Sequence, residues 1–150
     1  MTWDFKTRPE LPNSQMDFYY WESPHKQIFE SFRANVVKVH DGDTIRVRTD
    51  FRDFAFPIRF LGTNSPELNE EGGHEVKYWL ENQILGREIY IEVDPKQRVG
   101  KWGRLLGKIF HEGIDMGEDM IRQGFAATFE ARNEGKFPDL NKEFNIEKWA

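Results

Sequence analysis

Two short stretches in which apolar and polar residues alternate flank an Asp-Gly pair, and this pattern restricts the fold more than any other. The apolar positions are Val37, Val39, Ile45 and Val47. Such alternation is typical of a strand with one buried face. Asp41-Gly42 lies between the two stretches, and Asp-Gly in this position favours a tight turn whose central residues have positive φ. The sequence therefore predicts an antiparallel β-hairpin at residues 37–47.

Further periodic patterns follow this hairpin. Alternation predicts strands at residues 54–61, 88–93 and 105–110. Helical spacing of apolar residues predicts helices at residues 76–84, 116–121 and 140–149. Pro57 lies inside the first of these strands, which indicates an edge or an irregular position there because proline lacks the N–H of a ladder bond. Strands that come first, with helices interposed and at the end, predict an α+β small barrel.

Residues 1–34 differ from the rest of the chain and are predicted to form an extension that precedes a barrel domain at residues 35–150. The extension is rich in aromatic residues and contains the run Phe18-Tyr19-Tyr20-Trp21. Ser23-Pro24 is a favourable helix start, so we predict one short helix there. The aromatic residues either cap the core of the barrel or form a docking surface for a protein partner.

Composition excludes several classes of protein. The chain of 150 residues suits one domain and has no cysteine, which excludes disulfides, thiolate metal sites and a cysteine nucleophile. Any metal must then be bound by oxygen or imidazole ligands. The sequence shows no signal-peptide pattern and no apolar run long enough to cross a membrane. We therefore expect a soluble protein without a signal peptide, located in the cytoplasm or in a larger assembly.

The distribution of charge bears on nucleic-acid binding. A net charge of −5 disfavours such binding, because Lys and Arg supply most phosphate contacts. However, Lys96, Arg98, Lys101 and Arg104 occur in a stretch without any acidic residue. This basic loop also contains Trp102, which offers a ring for base stacking. The loop therefore predicts a nucleic-acid interface, and a plain solvated loop is the alternative.

Three polar features precede that loop. Asp43 lies just after the predicted turn, where its carboxylate is a candidate ligand for calcium or magnesium and, alternatively, an ordinary turn residue. Arg59 interrupts an apolar strand, so it needs an ion-pair partner, solvent or an anionic ligand. The segment at 64–67, with sequence NSPE, offers several oxygen atoms and a carboxylate. A tight turn that caps the following helix explains this segment equally well.

Five segments in this order together resemble the staphylococcal nuclease-like (thermonuclease) family. They are residues 37–44 (VKVHDGDT), 58–62 (IRFLG), 65–67 (SPE), 101–104 (KWGR) and 121–124 (IRQG). The resemblance implies a five-stranded OB-type barrel with about three helices. It also implies calcium-dependent hydrolysis of single-stranded or frayed DNA and RNA with little sequence preference. Non-catalytic alternatives are a module of this fold that binds nucleic acid or a protein partner, and an architectural subunit of a larger, for example viral, assembly.

The resemblance also assigns roles to individual residues. Asp43, Asn64 and the Ser65 carbonyl match the calcium ligands of the family, and Arg59 and Arg104 match the two arginines that clamp the scissile phosphate. Glu67 matches the glutamate that positions or deprotonates the attacking water. In-line attack on phosphorus then expels the 5′-oxygen and leaves a 3′-phosphate.

Two departures from the family pattern carry expectations of their own. Asn64 stands where the family usually has a second metal-binding aspartate, so weaker calcium binding is expected. Two tyrosines that contact the nucleotide in the best-known member fall at Glu130 and Arg132, so the base pocket is expected to differ. Neighbouring Phe129 is a candidate replacement for the lost stacking surface.

Overall fold

A closed barrel of five strands forms the centre of the protein. The structure is a computed structural model that describes residues 3–100 and 103–128. The barrel strands are β1 (Phe32–Asp41), β2 (Thr44–Thr49), β3 (Arg52–Phe60), β5 (Glu88–Glu92) and β6 (Leu105–His111). Their order is β3-β2-β1-β5-β6, with antiparallel neighbours. A parallel pairing of β3 with β6 closes the sheet on itself. The α+β OB-type barrel expected from the sequence is thereby confirmed.

Three short strands lie outside the barrel. They are β4 (Thr63–Asn64), β7 (Ile114–Asp115) and β8 (Ala127–Thr128). The β7 strand pairs with the end of β6, and β4 pairs with β8. This second pairing fixes the backbone of Asn64 by linking it to a segment more than 60 residues later in the chain.

Three α-helices occur in the described part of the chain, and in the second and third of them the buried face follows the apolar spacing of the sequence. They are α1 (Met16–Tyr19), α2 (Gly73–Ile84) and α3 (Met116–Arg122). Val76, Leu80 and Ile84 of α2 are fully buried, as helical spacing predicts. The helix predicted at residues 140–149 lies outside the described residues.

The core of the barrel forms from the inward face of each strand. In β3, Phe56, Ile58 and Phe60 are almost completely buried, which confirms the predicted alternation. Pro57 pairs only with β2, because pairing with β6 begins one residue later at Ile58. Its missing N–H therefore removes no bond to β6, as predicted for an edge position.

None of the described helices is both long enough and apolar enough to cross a membrane.

The hairpin between β1 and β2 is present, but its turn differs from the prediction. Asp41 pairs with Thr44, so the two turn residues are Gly42 and Asp43, and neither has positive φ. The Asp43 N–H donates to Asp41 Oδ1 at 3.1 Å, and this side-chain bond holds the turn in another conformation. Glycine is required at position 42 because the neighbouring residues leave no space for a side chain. A Cβ on Gly42 would lie 2.5 Å from Ser65 Oγ and from Val76 Cγ1.

Residues 3–31, called the N-terminal segment below, pack against the barrel through a few aliphatic and polar groups. Leu11 and Ile28 are buried, and Ile28 joins the core of the barrel. The side chains of the aromatic run do not cap that core, since Phe18 is 74% exposed and Trp21 is 89% exposed.

The short helix of the extension lies before Ser23-Pro24, so the helix start predicted there is wrong. Helical turns cover Asn13–Gln15, Met16–Tyr19 and Tyr20–Glu22, whereas residues 23–31 are irregular. In the irregular part, the Gln27 side chain and the Ile28 N–H bond to residues 9–11 of the chain. The Gln27 side chain accepts from the Leu11 N–H, and the Ile28 N–H donates to Glu10 Oε2. These long-range bonds replace the local bonds of a helix.

Candidate active site

The β1–β2 turn meets the loop after β3 at one end of the barrel, and Asp43 joins the two. The Ser65 N–H donates to Asp43 Oδ2 at 3.0 Å, and the Phe60 N–H donates to the Asp43 carbonyl at 2.8 Å. Asp43 is buried as a result. The loop can approach this closely because Gly42 has no side chain. The structure thus brings Asp43 and Ser65 together, although 22 residues separate them in sequence.

Arg59 lies between the two candidate metal-binding side chains. Its Nη2 donates to Asn64 Oδ1 at 2.6 Å and lies 3.5 Å from Asp43 Oδ2. Its Nη1 donates to the carbonyls of Phe60 and Thr63 at 2.6 and 2.7 Å. An arginine in an apolar strand needs such partners, and these bonds hold the guanidinium in one position at the site.

Arg104 reaches the same site from the start of β6. Its Nη1 donates to Thr44 Oγ1 at 3.1 Å, and the Thr44 hydroxyl in turn donates to Asp43 Oδ1 at 3.3 Å. Thr44 is therefore the link between Asp43 and Arg104. One end of the barrel thus contains two guanidinium groups beside the buried carboxylate of Asp43.

Glu67 follows on the same loop with an exposed side chain. Its N–H donates to Glu70 Oε1 at 2.7 Å, and its carbonyl lies against Gly73, at the start of α2, with no room for a Cβ. The backbone of Glu67 is fixed by these contacts while its carboxylate faces solvent. Its charge also acts on a second acid of the turn, Asp41.

Asp41 is a member of the site that the sequence analysis assigned only to the turn. Burial, followed by the charge of neighbouring Asp43, raises the pKa of Asp41 to about 7, and the charge of Glu67 adds to this effect. The signal was present in the sequence, since Asp41 and Asp43 are two residues apart in one tight turn. Two carboxylates at this distance disfavour each other's ionisation unless a cation lies nearby.

The residues around this acid pair suit a hard cation, with Asn64 as the poorest match. Hard cations prefer oxygen ligands, and the buried Ser65 Oγ has no hydrogen-bond partner among the described residues. The Asn64 oxygen accepts from Arg59, while its buried Nδ2 has no partner within the same residues. No group of three or more His, Cys, Asp or Glu side chains with metal-binding geometry occurs in residues 3–100 and 103–128. The buried acids of the site are therefore Asp41 and Asp43, and Glu67 is an exposed one.

The basic loop is divided between surface and interior. Lys96 is exposed, whereas Arg98 is 1% exposed and belongs to the interior. The Arg98 guanidinium donates to the carbonyls of Leu11 and Ile28 and forms an ion pair with Glu10 at 2.7 Å. With these partners Arg98 is not available to phosphate, which corrects its assignment to the nucleic-acid interface. Lys101 and Trp102 lie outside the described residues.

Comparisons with known proteins bear on the family to which this chain belongs. The model of the family "Staphylococcal nuclease homologue" matches residues 57–150. The chain is similar to an uncharacterised protein of Methanocaldococcus jannaschii, with 27% identity over 89% of this chain and 80% of the relative. It is 25% identical to a probable endonuclease of Arthroderma otae over 77% of this chain, and 28% identical to an uncharacterised protein of Bacillus anthracis over 64%. The chain spans about half the length of these last two relatives, 51% and 47% respectively.

Proposed function

The chain belongs to the staphylococcal nuclease family, and on that premise we propose that it is a calcium-dependent nuclease that hydrolyses single-stranded or frayed DNA and RNA. The observation that carries the proposal is the convergence of Asp43, Arg59 and Arg104 at one end of the barrel. The relatives named as probable endonucleases support a nuclease function in general.

The two arginines are the proposed phosphate clamp. A guanidinium presents paired N–H donors that match the oxygen atoms of a phosphate, and it stays charged at all relevant pH values. The Arg104 guanidinium makes one hydrogen bond, to Thr44, in the described residues, so most of its donors are free for a substrate. Arg59 is held more firmly by its backbone partners. Fixed positive charge at this position stabilises the charge that develops on phosphorus oxygens during attack.

Glu67 is the proposed group that orients and deprotonates the attacking water. Its carboxylate is exposed, and a carboxylate can accept a proton from a water within hydrogen-bond distance. Attack in line with the leaving 5′-oxygen then breaks the P–O5′ bond and leaves a 3′-phosphate. A fixed backbone beside an accessible carboxylate suits this role, because the base must be positioned without being buried.

A hard cation completes the proposal. We propose that Asp43, the Ser65 carbonyl and Asn64 hold calcium, with Asp41 close by. A bound calcium ion supplies Lewis-acid charge to the phosphate and lowers the pKa of water. The buried acid pair and the unpartnered Ser65 Oγ support such an ion at this position.

Little sequence preference is expected from this site. The arginines bind phosphate, which is common to all nucleotides. The exposed Lys96, together with Lys101 and Trp102, is the proposed extension of this binding surface. DNA and RNA are therefore both expected substrates.

The test is cleavage of single-stranded DNA and RNA by the purified protein in calcium, in magnesium and in chelator. Glu67→Gln and Arg104→Ala each remove one proposed transition-state contact, so each is expected to lower the rate by roughly a hundredfold or more. Arg33→Ala is the matched control. Arg33 lies eight residues before Asp41 on β1, roughly 25 Å away, in an exposed ion pair with Glu88. A wild-type protein inert in millimolar calcium, or variants as active as wild type, would contradict the proposal.

A second candidate function is favoured by the aromatic run of the N-terminal segment. Phe18 and Trp21 are among its most exposed residues, and exposed aromatic rings that lie close together are typical of interaction surfaces. We propose a protein partner for this run, which is compatible with nuclease activity or with a purely architectural role. Retained nuclease activity in the presence of such a partner would distinguish the two.

A further inference from the structure

The N-terminal segment contacts the basic loop at residues 96–104, which ends at Arg104. We propose that Arg8 of this segment is a further nucleic-acid-binding residue, which contacts a backbone phosphate next to the one bound at Arg104. The proposal rests on the nuclease function above and adds a subsite to it. The residues matched by the family, 57–150, do not include Arg8.

The first step is the attachment of the segment to the loop. Arg98 begins the loop, and its guanidinium donates to the Leu11 carbonyl at 2.8 Å and to Asn13 Oδ1 at 3.0 Å. Glu10 accepts from the same guanidinium at 2.7 Å. All of these groups are close in sequence to Arg8. The segment is thereby fixed relative to the loop by bonds that are mostly buried.

A second contact places Arg8 beside Gly103, the residue that precedes Arg104 of the proposed phosphate clamp. Gly103 directly precedes Arg104 and has φ +80, which favours glycine. A Cβ built on Gly103 would lie 3.3 Å from Cγ, Cδ and Nε of Arg8. The Arg8 side chain therefore lies across Gly103, next in the chain to the arginine that donates to Thr44.

A contact with an aromatic ring orients the Arg8 guanidinium, and its N–H donors have no partner among the described residues. Its Cζ lies 5.8 Å from the centre of the Trp3 ring, and the Trp3 indole N–H donates to the Arg8 carbonyl at 2.8 Å. A ring contact uses the face of a guanidinium and leaves its N–H edges free. Within residues 3–100 and 103–128 this guanidinium makes no hydrogen bond and no ion pair, and the residue is exposed.

The charge of this surface then identifies the ligand. Arg8 and Arg104 approach the same loop, and the stretch from 96 to 104 contains no acidic residue that would neutralise them. Neither guanidinium forms a direct ion pair within the described residues, and two such groups on one surface attract an anion. In a nuclease, the anion that repeats along the substrate is phosphate. Arg8 therefore supplies a contact to a second phosphate of the same strand.

The test uses cleavage of a single-stranded oligonucleotide in calcium by four proteins, with kcat and KM measured over a range of salt concentrations. They are the wild type, Arg8→Ala, Arg8→Lys and the control Arg33→Ala. Loss of one phosphate contact is expected to raise KM roughly fivefold. The slope of log(kcat/KM) against log salt should fall by about 0.7, the value for a single strand. Arg8→Ala should leave kcat within about twofold of wild type, because the residue lies outside the clamp.

The outcomes separate the subsite from the nuclease function. Arg8→Lys keeps the charge and should keep most of the salt slope, whereas Arg33→Ala should match wild type. If the wild type cleaves but Arg8→Ala and Arg33→Ala are indistinguishable, the subsite is refuted and the nuclease function stands. If the wild type does not cleave, the nuclease function fails, and fluorescence anisotropy of the same oligonucleotide compares the same variants. Equal binding by all four proteins, or no binding, then refutes the subsite as well.

Discussion

Two clusters of this protein pair arginine with a carboxylate, and β3 connects them. Arg52 at the start of β3 and Arg98 both bind Glu10, and all three side chains are at most 2% exposed. Near the other end of β3, Arg59 and Asp43 lie 3.5 Å apart with side chains 15% and 12% exposed. We call the first group the Glu10 cluster and the second the Asp43 site. The same residue types are sealed from water in one cluster and partly open to it in the other.

The difference shows how a charged pair becomes structural or functional. In the Glu10 cluster, Arg98 has protein partners for each of its nitrogens, and Arg52 lies over the rings of Phe54 and Phe56. Both groups contain buried polar atoms without a partner among the described residues, of Arg52 in the Glu10 cluster and of Asn64 and Ser65 in the Asp43 site, so the exposure of the ion pair is what distinguishes them. Removing one partner of a fully buried ion pair strongly destabilises the fold, because the remaining charge is buried without compensation. A partly exposed ion pair can instead exchange its protein partner for a ligand.

The largest expected effect of a single change is in the Glu10 cluster. Glu10→Ala leaves two buried guanidinium groups without a counter-charge, so the free energy of unfolding should fall by about 3–5 kcal/mol. Urea denaturation measures this change. Glu22→Ala removes an exposed glutamate of the same segment and should change stability by less than about 0.5 kcal/mol. Similar effects of the two variants would mean that the Glu10 cluster is not sealed.

A smaller but combined effect is expected at the turn of the Asp43 site. Gly42→Ala places a methyl group 2.5 Å from Ser65 Oγ and Val76 Cγ1, and such overpacking typically costs about 1–3 kcal/mol of stability. Because the Ser65 loop must move away, binding of calcium at the proposed site should weaken as well. Urea denaturation and calcium titration calorimetry check both effects. Wild-type stability with wild-type calcium affinity would show that the loop does not need this close approach.

Asn64→Asp should strengthen the Asp43 site. It converts a buried amide with an unpartnered nitrogen into a carboxylate, and ligand charge tunes calcium affinity. We expect roughly tenfold tighter calcium binding, about 1.4 kcal/mol, measured by calorimetry. The matched control is Asn82→Asp on the exposed surface of α2, which should leave the affinity unchanged. Equal affinities for all three proteins would remove Asn64 from the metal site.

The smallest effect is expected at the aromatic run, which belongs to neither cluster. Replacing Phe18 and Trp21 together by serine should change the free energy of unfolding by less than about 0.5 kcal/mol per residue, since both rings are exposed. Leu11→Ser, in the buried part of the same segment, should cost several times more. A large loss of stability in the aromatic double variant would mean that the run supports the fold and is not a free surface for a partner.

Elements with strong periodicity could be predicted because the pattern reports local burial. The strands β2 and β3 and the helix α2 follow apolar spacings that their own residues define, whereas in β1 a register shift between Val36 and Lys38 buries Val36 and leaves the predicted core residue Val37 exposed. The irregular structure after Ser23-Pro24, where a helix was predicted, could not be inferred from local apolar spacing. Its backbone groups bond to Glu10 and to the Gln27 side chain instead, and such long-range competition leaves no local signal.

Arg98 and Arg104 show the same limit for the candidate site. Both arginines belong to one basic stretch and could not be separated by sequence reasoning. Arg98 is buried because Glu10, 88 residues earlier, provides its counter-charge. Arg104 instead reaches Thr44 at the Asp43 site. Asp41 was missed for a related reason, since its pKa depends on burial that only the packed turn creates.

The sequence by itself determined the class of fold, the family and the set of candidate residues, because alternation, turn residues and ordered motifs are local properties of a chain. The tertiary structure alone decided how these residues are used. Closure of β3 on β6 and the missing side chain of Gly42 bring Asp43 and Ser65 together. Burial then makes Glu10 and Arg98 structural, whereas the Arg104 guanidinium makes one hydrogen bond among the described residues. The physical reason is that the free energy of a charged group depends on its solvent and its neighbours in space, and these are settled only when the chain has folded.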